Sequence, residues 1–198
     1  MLADSNSIEV RYTCDLLAAQ LAAFGPQPIR IATKRLDLAL ALARRLAWQS
    51  QPLLVECRTL RDVIHQQLDL EVGLVGEVHH SLAVFPFSIE EGLRPTGEQT
   101  LLVACRNGLS YKNLIYPGAV RSTVFGTIGR LRPAYSMRPI CALYPPSFIG
   151  HWLLALLLGK LSAPLHFRLG QQALDRLIDW GPLWPLSYIV LLAGDYAG

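Results

Sequence analysis

The stretch PIRIATKRLDLALALARRLAWQSQPLLVE, running from Pro28 to Glu56, decides the fold. Residues 28–32 form a short isoleucine-rich run, too brief for a helix and too apolar for a loop, and read as a buried strand. Residues 37–48 follow as a helix that is apolar almost all round, with Arg44 and Arg45 marking its one wet side. Gln51-Pro52 breaks that helix, and residues 53–57, Leu-Leu-Val-Glu-Cys, read as a second buried strand. A strand, a helix and a strand with so little chain between them imply a parallel crossover, with the helix packed on one face of a sheet.

The pattern extends in both directions. Before it, Leu16, Leu17, Leu21 and Phe24 recur at helical spacing in a helix over 8–24 that Gly25-Pro26 ends. After it, Thr59 is placed to cap a helix running to residue 68, with Val63, Ile64 and Leu68 inward. Residues 72–76, 81–85 and 100–105 read as strands, 89–93 as a helical turn, and 108–137 as loop-rich because of Gly118, Gly126, Gly129 and Pro133. A strand at 140–144 closes on Pro145-Pro146. Helices over 148–161 and 169–179 then precede a last strand at 187–193. The expected architecture is a single α/β domain over residues 1–198. Its open, doubly wound, mostly parallel sheet carries a helical insertion, 147–184, before the last strand.

Composition narrows the function. Apolar residues make up 52% and charged residues 17% of the 198 positions, which excludes wholesale disorder. A net charge of +3 is too weak by itself to imply nucleic acid. The four cysteines, Cys14, Cys57, Cys105 and Cys141, form no CxxC pair, which excludes a local zinc ribbon and suggests no disulfide scaffold. Asp4, Glu9 and Arg11 interrupt any signal peptide, and Pro139, Pro145 and Pro146 break the longest uncharged stretch, so no transmembrane segment is expected. The resulting expectation is a cytoplasmic protein with reduced thiols.

Charge is distributed unevenly. Residues 62–98 hold seven acids against one base, Arg94, whereas residues 99–174 hold eight bases and no acid. Those bases are Arg106, Lys112, Arg121, Arg130, Arg132, Arg138, Lys160 and Arg168. Solvated arginines are the plain account. An anion-meeting surface on Arg106, Lys112, Arg130 and Arg132 is the sharper one, with a small anion, acidic lipid or acidic protein as partner. No tryptophan interleaves these cations between residues 99 and 150, so nucleic acid is the less favoured partner. The apolar run Phe148 to Leu158 reads as a buried helix, with a protein partner or peripheral membrane contact through 147–161 as the alternative.

Three local matches resemble the class I S-adenosylmethionine-dependent methyltransferases. The first is Pro28-Ile29-Arg30-Ile31-Ala32 with Leu38-Ala39-Leu40-Ala41-Leu42-Ala43-Arg44-Arg45, similar to the family's first strand and following helix. The second is Leu53-Leu54-Val55-Glu56, with an acid at the end of the second strand. The third and most specific runs from Leu93-Arg94-Pro95-Thr96-Gly97 through Thr100-Leu101-Leu102-Val103-Ala104-Cys105 to Asn107. It resembles the family's "LRPGG" turn, fifth strand and closing asparagine. The resemblance implies a seven-stranded sheet, S-adenosylmethionine as cofactor, and methyl transfer to a small or lipid-like acceptor. It places Ala32, Thr33, Glu56, Gly76 and Glu77 at the cofactor. Independently of the family, an acid some 20 residues beyond the first strand of such a sheet can accept hydrogen bonds from ribose hydroxyls, and Glu56 stands there. As a strand-end carboxylate, Glu56 is expected to lie outside the core.

The chain also departs from that family. Thr33-Lys34-Arg35-Leu36-Asp37 stands in place of a glycine-rich loop, so β-carbons narrow the cleft and two cations face a sulfonium ligand. Only four residues separate the third and fourth strands, where the family has a helix. Either that strand reading fails or the cofactor site is remodelled or lost. The second outcome leaves a catalytically degenerate interaction module. No HExxH, GxSxG or Walker pattern occurs. His79 and His80, being adjacent, face opposite ways on any strand, so no metal site is expected there.

Overall fold

Val10, Cys14, Leu17 and Leu21 are buried at helical spacing along α1 (Ile8–Leu21), which makes this face the first packing surface of the chain. The computed structural model describes residues 8–47, 51–89, 92–107, 124–143 and 189–198. The elements in chain order are α1, β1 (Ile29–Ile31), α2 (Leu36–Leu46), β2 (Leu53–Val55), α3 (Arg58–Leu68), β3 (Val72–Leu74) and β4 (Leu82–Pro86). They continue as β5 (Thr100–Arg106), α4 (Val124–Leu131), β6 (Tyr135–Leu143) and β7 (Ile189–Tyr196). The seven strands run in the order β3-β2-β1-β4-β5-β7-β6. β1 pairs in parallel with β2 and β4, β2 with β3, and β4 with β5.

The chain divides into two compact units, residues 1–104 with 134–136 and 193–198, and residues 105–133 with 137–192. In the first, α1 packs on α2, α2 on α3, and α3 on β2 and β3. α2 buries Leu38, Ala39, Leu40, Ala41, Leu42, Ala43 and Leu46, as its nearly all-round apolar sequence requires, and leaves Arg44 in water. The strands β1, β2 and β4 are buried at every position. This explains why β2 and β4 read as unbroken apolar runs without alternation, and β1 as a run interrupted only by Arg30.

Several boundaries shift for physical reasons. α3 starts at Arg58 with Cys57 as its cap residue and no side-chain cap hydrogen bond, so Thr59 lies within the first turn and caps nothing. The chain turns directly from β2 into the helix, two residues earlier than a Thr59 cap allows. Val63 and Leu68 are half-buried, leaving Leu60 and Ile64 as the inward pair. Between β3 and β4 residues 75–81 contain no helix, so the short connection read from the sequence is real.

In the second unit, Val124–Leu131 is helical although 108–137 reads as loop. Val124, Thr127 and Leu131 are buried at i, i+3 and i+7, and this stripe outweighs the two glycines between them. β6 begins at Tyr135 and includes Pro139, which a sequence reading treats as a breaker. It ends the sheet order, and proline is tolerated on an edge strand because the missing N–H removes no ladder bond. The last strand is described over Ile189–Tyr196 and so runs past the expected end at 193, whereas residues 187 and 188 lie outside the described residues. The expected helices at 148–161 and 169–179, and the insertion 147–184, lie outside the described residues.

Gly129 is exposed within α4, and nothing lies within 4 Å of where its Cβ would stand. Gly129→Ala is therefore expected to stabilise the chain by about 0.5–1 kcal/mol, the entropic cost of glycine inside a helix. Urea unfolding of the two forms measures the difference, and a loss of stability would contradict the helix placement.

Candidate functional site

Arg30 stands in the middle of β1 with its neighbours buried on both sides, and its own side chain is only 3% exposed. A guanidinium cannot be buried without partners, and this one has several. Nε donates to Glu56 Oε1 at 2.9 Å. One Nη donates to Glu98 Oε1 and to Thr96 Oγ1, and the other reaches the Arg94 carbonyl at 3.4 Å. The guanidinium carbon lies 5.4 Å from the centroid of the Phe85 ring, within cation–π range. Glu98, 1% exposed, also accepts the Thr96 backbone N–H at 2.7 Å and the Thr96 hydroxyl at 3.1 Å. His80 Nε2 lies 3.4 Å from the same Glu98 oxygen.

Burial works against the charged form of both central groups, and their contacts more than offset it. Arg30 is held above its ordinary pKa by its hydrogen bonds and charge attraction to Glu56 and Glu98. Glu98 is held below the usual carboxylate value by the backbone N–H groups of Glu98 and Thr96 and by Arg30. The segment 94–98 is thereby tied to the centre of the sheet. Sequence reasoning missed Arg30 and Glu98 as a pair. The available signal was one cation inside an otherwise apolar strand, with an acid-rich region downstream.

Glu56 is at the carboxyl end of β2, where the ribose acceptor was expected, but it is not the isolated surface carboxylate its position suggests. Its side chain is 20% exposed and one oxygen is committed to Arg30. Oε2 makes no hydrogen bond among the described residues, so one acceptor faces outward on a carboxylate held in place. Ala32 and Thr33, at the end of β1, are fully buried. The Ala32 N–H donates to Val84 O at 2.9 Å and the Thr33 N–H to Ile31 O at 3.1 Å, so neither amide points to a ligand.

The two cations expected beyond them are not equivalent. Arg35 pairs with Asp37 at 2.6 Å, whose carboxyl is held below its usual value despite partial burial, chiefly by that guanidinium. Lys34 alone is exposed without an ion-pair partner among the described residues. Gly76 and Glu77 form a closed turn. Gly76 has φ +100°, a conformation that glycine alone adopts freely, and the Glu77 carboxylate accepts the Leu74 N–H at 3.0 Å.

A further residue at this carboxyl edge went unread. Phe87, directly after β4, is buried with φ +63° and donates its N–H to Ala104 O at 2.8 Å. Left-handed backbone in a phenylalanine costs about 1–2 kcal/mol, and such strain gathers at functional positions.

In the second unit, Asn107 is buried after β5 and Arg106 is half-buried at its end. Arg130, Arg132 and Arg138 are exposed. Lys112, Arg121, Lys160 and Arg168 lie outside the described residues. Among the described residues no cluster of three or more histidines, cysteines, aspartates or glutamates could hold a metal ion, and no helix is long and apolar enough to cross a membrane.

This sheet order, with parallel pairing from β3 through β5 and helices between the first three strands, is the class I methyltransferase fold. Two solved structures of that fold match nearly the whole chain. One is the methyltransferase domain of bacterial CtHen1-CN, at TM-score 0.53 and 12% identity over 94% of this chain and 99% of that one. The other is the methyltransferase domain of bacterial CtHen1-C, at TM-score 0.51 and 10% identity over 96% and 100%. No family model and no curated protein matches the sequence.

Measured against S-adenosylmethionine, the site divides. The outward oxygen of Glu56 suits a ribose hydroxyl. The committed amides of Ala32 and Thr33 do not suit close backbone approach by the methionine part.

Proposed function

We propose that the chain is a methyltransferase-like protein that takes the ribose of S-adenosylmethionine on Glu56 and transfers its methyl group to a small or lipid-like acceptor. The observation that supports this reading is Glu56 itself. It is a carboxylate at the carboxyl end of β2, fixed through Oε1 by a buried arginine and open at Oε2. Fixing the acceptor in advance lowers the ordering cost of binding. The cofactor, when bound, supplies an electrophilic methyl. The chain's part is then to align an acceptor atom with it and to exclude water, tasks that need no catalytic triad. Phe87 and Ser88, buried after β4, are the apolar and polar groups that adjoin that edge.

A second reading rests on the buried, glycine-free segment at Ala32 and Thr33, whose amides are committed within the chain. In it the fold is kept as an interaction module whose Arg106, Lys112, Arg130 and Arg132 meet an anionic ligand, acidic lipid or acidic protein, with 147–161 as a further contact surface.

Calorimetric titration with S-adenosylmethionine and S-adenosylhomocysteine separates the two. Glu56→Gln is the informative variant, because its amide oxygen can still receive the Arg30 Nε–H whereas an alanine would leave that donor short. Loss of a charge-assisted bond should weaken binding by about 1.5–3 kcal/mol. Binding to the unmodified chain with no change in Glu56→Gln removes the ribose role. No heat at millimolar ligand removes the cofactor and leaves the module.

A further inference from the structure

β3 stands at the end of the sheet order, so one side of it has no neighbouring strand among the described residues. Val75 donates its N–H to Val55 O at 3.0 Å, which turns residues 73 and 75 toward β2 and the peptide groups of residues 72 and 74 toward the open side. Unpaired edge groups of this kind invite another strand. Here the two outward groups of Leu74 are already taken. The outward N–H of Leu74 donates to Glu77 Oε2 at 3.0 Å, and the outward carbonyl of Leu74 accepts the Glu77 N–H at 3.1 Å. Gly76, with φ +100°, makes the return possible. At the other end the Leu70 carbonyl meets His65 Nδ1 at 3.3 Å. Between these two clamps the amide of Val72 has no partner among the described residues. Beside it lies an open groove of about 580 Å³ lined in part by Leu54, Val72, Gly73 and Val78, and Val78 is 45% exposed.

We propose that the β3 edge is a strand-pairing surface held shut by Glu77 and His65, and that the partner it fits is the same edge of a second copy of this chain. The register argues for the second copy. Antiparallel pairing about a two-fold axis at Val72 sets Val72 opposite itself, so that the two residues exchange both N–H···O bonds. The same axis sets Leu74 opposite Leu70 of the second copy. The donor that Glu77 now occupies and the acceptor that His65 now occupies are thus each other's partners across the axis. The two clamps block one self-complementary ladder. Glu71 then falls opposite Gly73 of the second copy and not opposite its own equivalent, so the pairing sets no like charges face to face. A closed two-fold contact also consumes both edges and stops at a dimer.

Sedimentation velocity on the full chain tests this. The unmodified protein should sediment as a 21.9 kDa monomer, and Glu77→Ala combined with His65→Ala should double that mass. Adding Val72→Pro should restore the monomer, because proline removes the outward N–H at the centre of the ladder without touching a bond to β2. A monomeric double variant with native circular dichroism overturns the proposal. So does association that survives Val72→Pro, or an unmodified chain that already dimerises through Val72. If the double variant does not fold, hydrogen exchange on the unmodified chain decides. The clamped Leu74 amide should exchange on the order of tenfold more slowly than the open Val72 amide. Equal rates would mean that Glu77 clamps nothing.

Discussion

Arg30→Met is expected to destabilise the chain by about 3–5 kcal/mol, the range for removing one member of a buried ion pair. The cost falls on Glu98. At 1% exposure it would keep the Thr96 N–H and hydroxyl but lose its counter-charge, whereas Glu56 at 20% exposure can turn to water. The segment 94–98, tied to the sheet through Thr96, the Arg94 carbonyl and Glu98, should loosen with it. Methionine is apolar and of similar length, so Arg30→Met combined with Glu98→Gln should recover a large part of the loss. Well-packed neutral side chains often replace buried ion pairs at little cost. Urea unfolding of the single and double variants gives both numbers, and their non-additivity measures the coupling. A single-variant loss under about 1 kcal/mol would show that the cluster is solvated and not buried.

The same cluster should make the chain sensitive to acid. Glu98 has its folded pKa lowered from 4.5, so its contribution is fully present above the unfolded value and is lost as pH falls through the folded one. Asp37, lowered from 3.8 chiefly by Arg35, adds a loss in the same direction. Arg30, held above its ordinary value by Glu56 and Glu98, stays charged throughout and contributes no slope there. Between about pH 6 and about pH 3 the unfolding free energy of the unmodified chain should fall more steeply than that of Glu98→Gln, by close to the uptake of about one proton. Parallel curves would mean that Glu98 is not the responsible carboxylate.

Local sequence carried the first half of the fold. Residues 29–31, 53–55 and 100–106 form strands where short, mainly apolar runs predict them. α2 forms between a charged loop and a Gln-Pro break. Each of these signals lies within a dozen residues, and burial on both faces of a parallel strand writes itself into composition. Failures came where a local rule met a tertiary contact. Gly126 and Gly129 concealed α4, whose formation depends on burying Val124, Thr127 and Leu131. Pro139 concealed the first half of β6, whose place at the end of the sheet order no local pattern reports.

The candidate site shows the same division more sharply. Position alone marked Glu56 as an acid at a strand end, and that placement holds. Its partner was beyond reach, because Arg30 and Glu56 are 26 positions apart and Arg30 and Glu98 are 68 apart. Likewise Gly76 and Glu77 are plain turn residues in sequence. That they close the outward face of β3 depends on which strand lies beside it. Hydrophobic periodicity and breakers, being short-range, determined the alternation of strands and helices and so the α/β class. Which charges meet, which amides stay open and which edge lies bare were decided only by tertiary structure, because electrostatic and hydrogen-bond partners are chosen by distance in space and not along the chain.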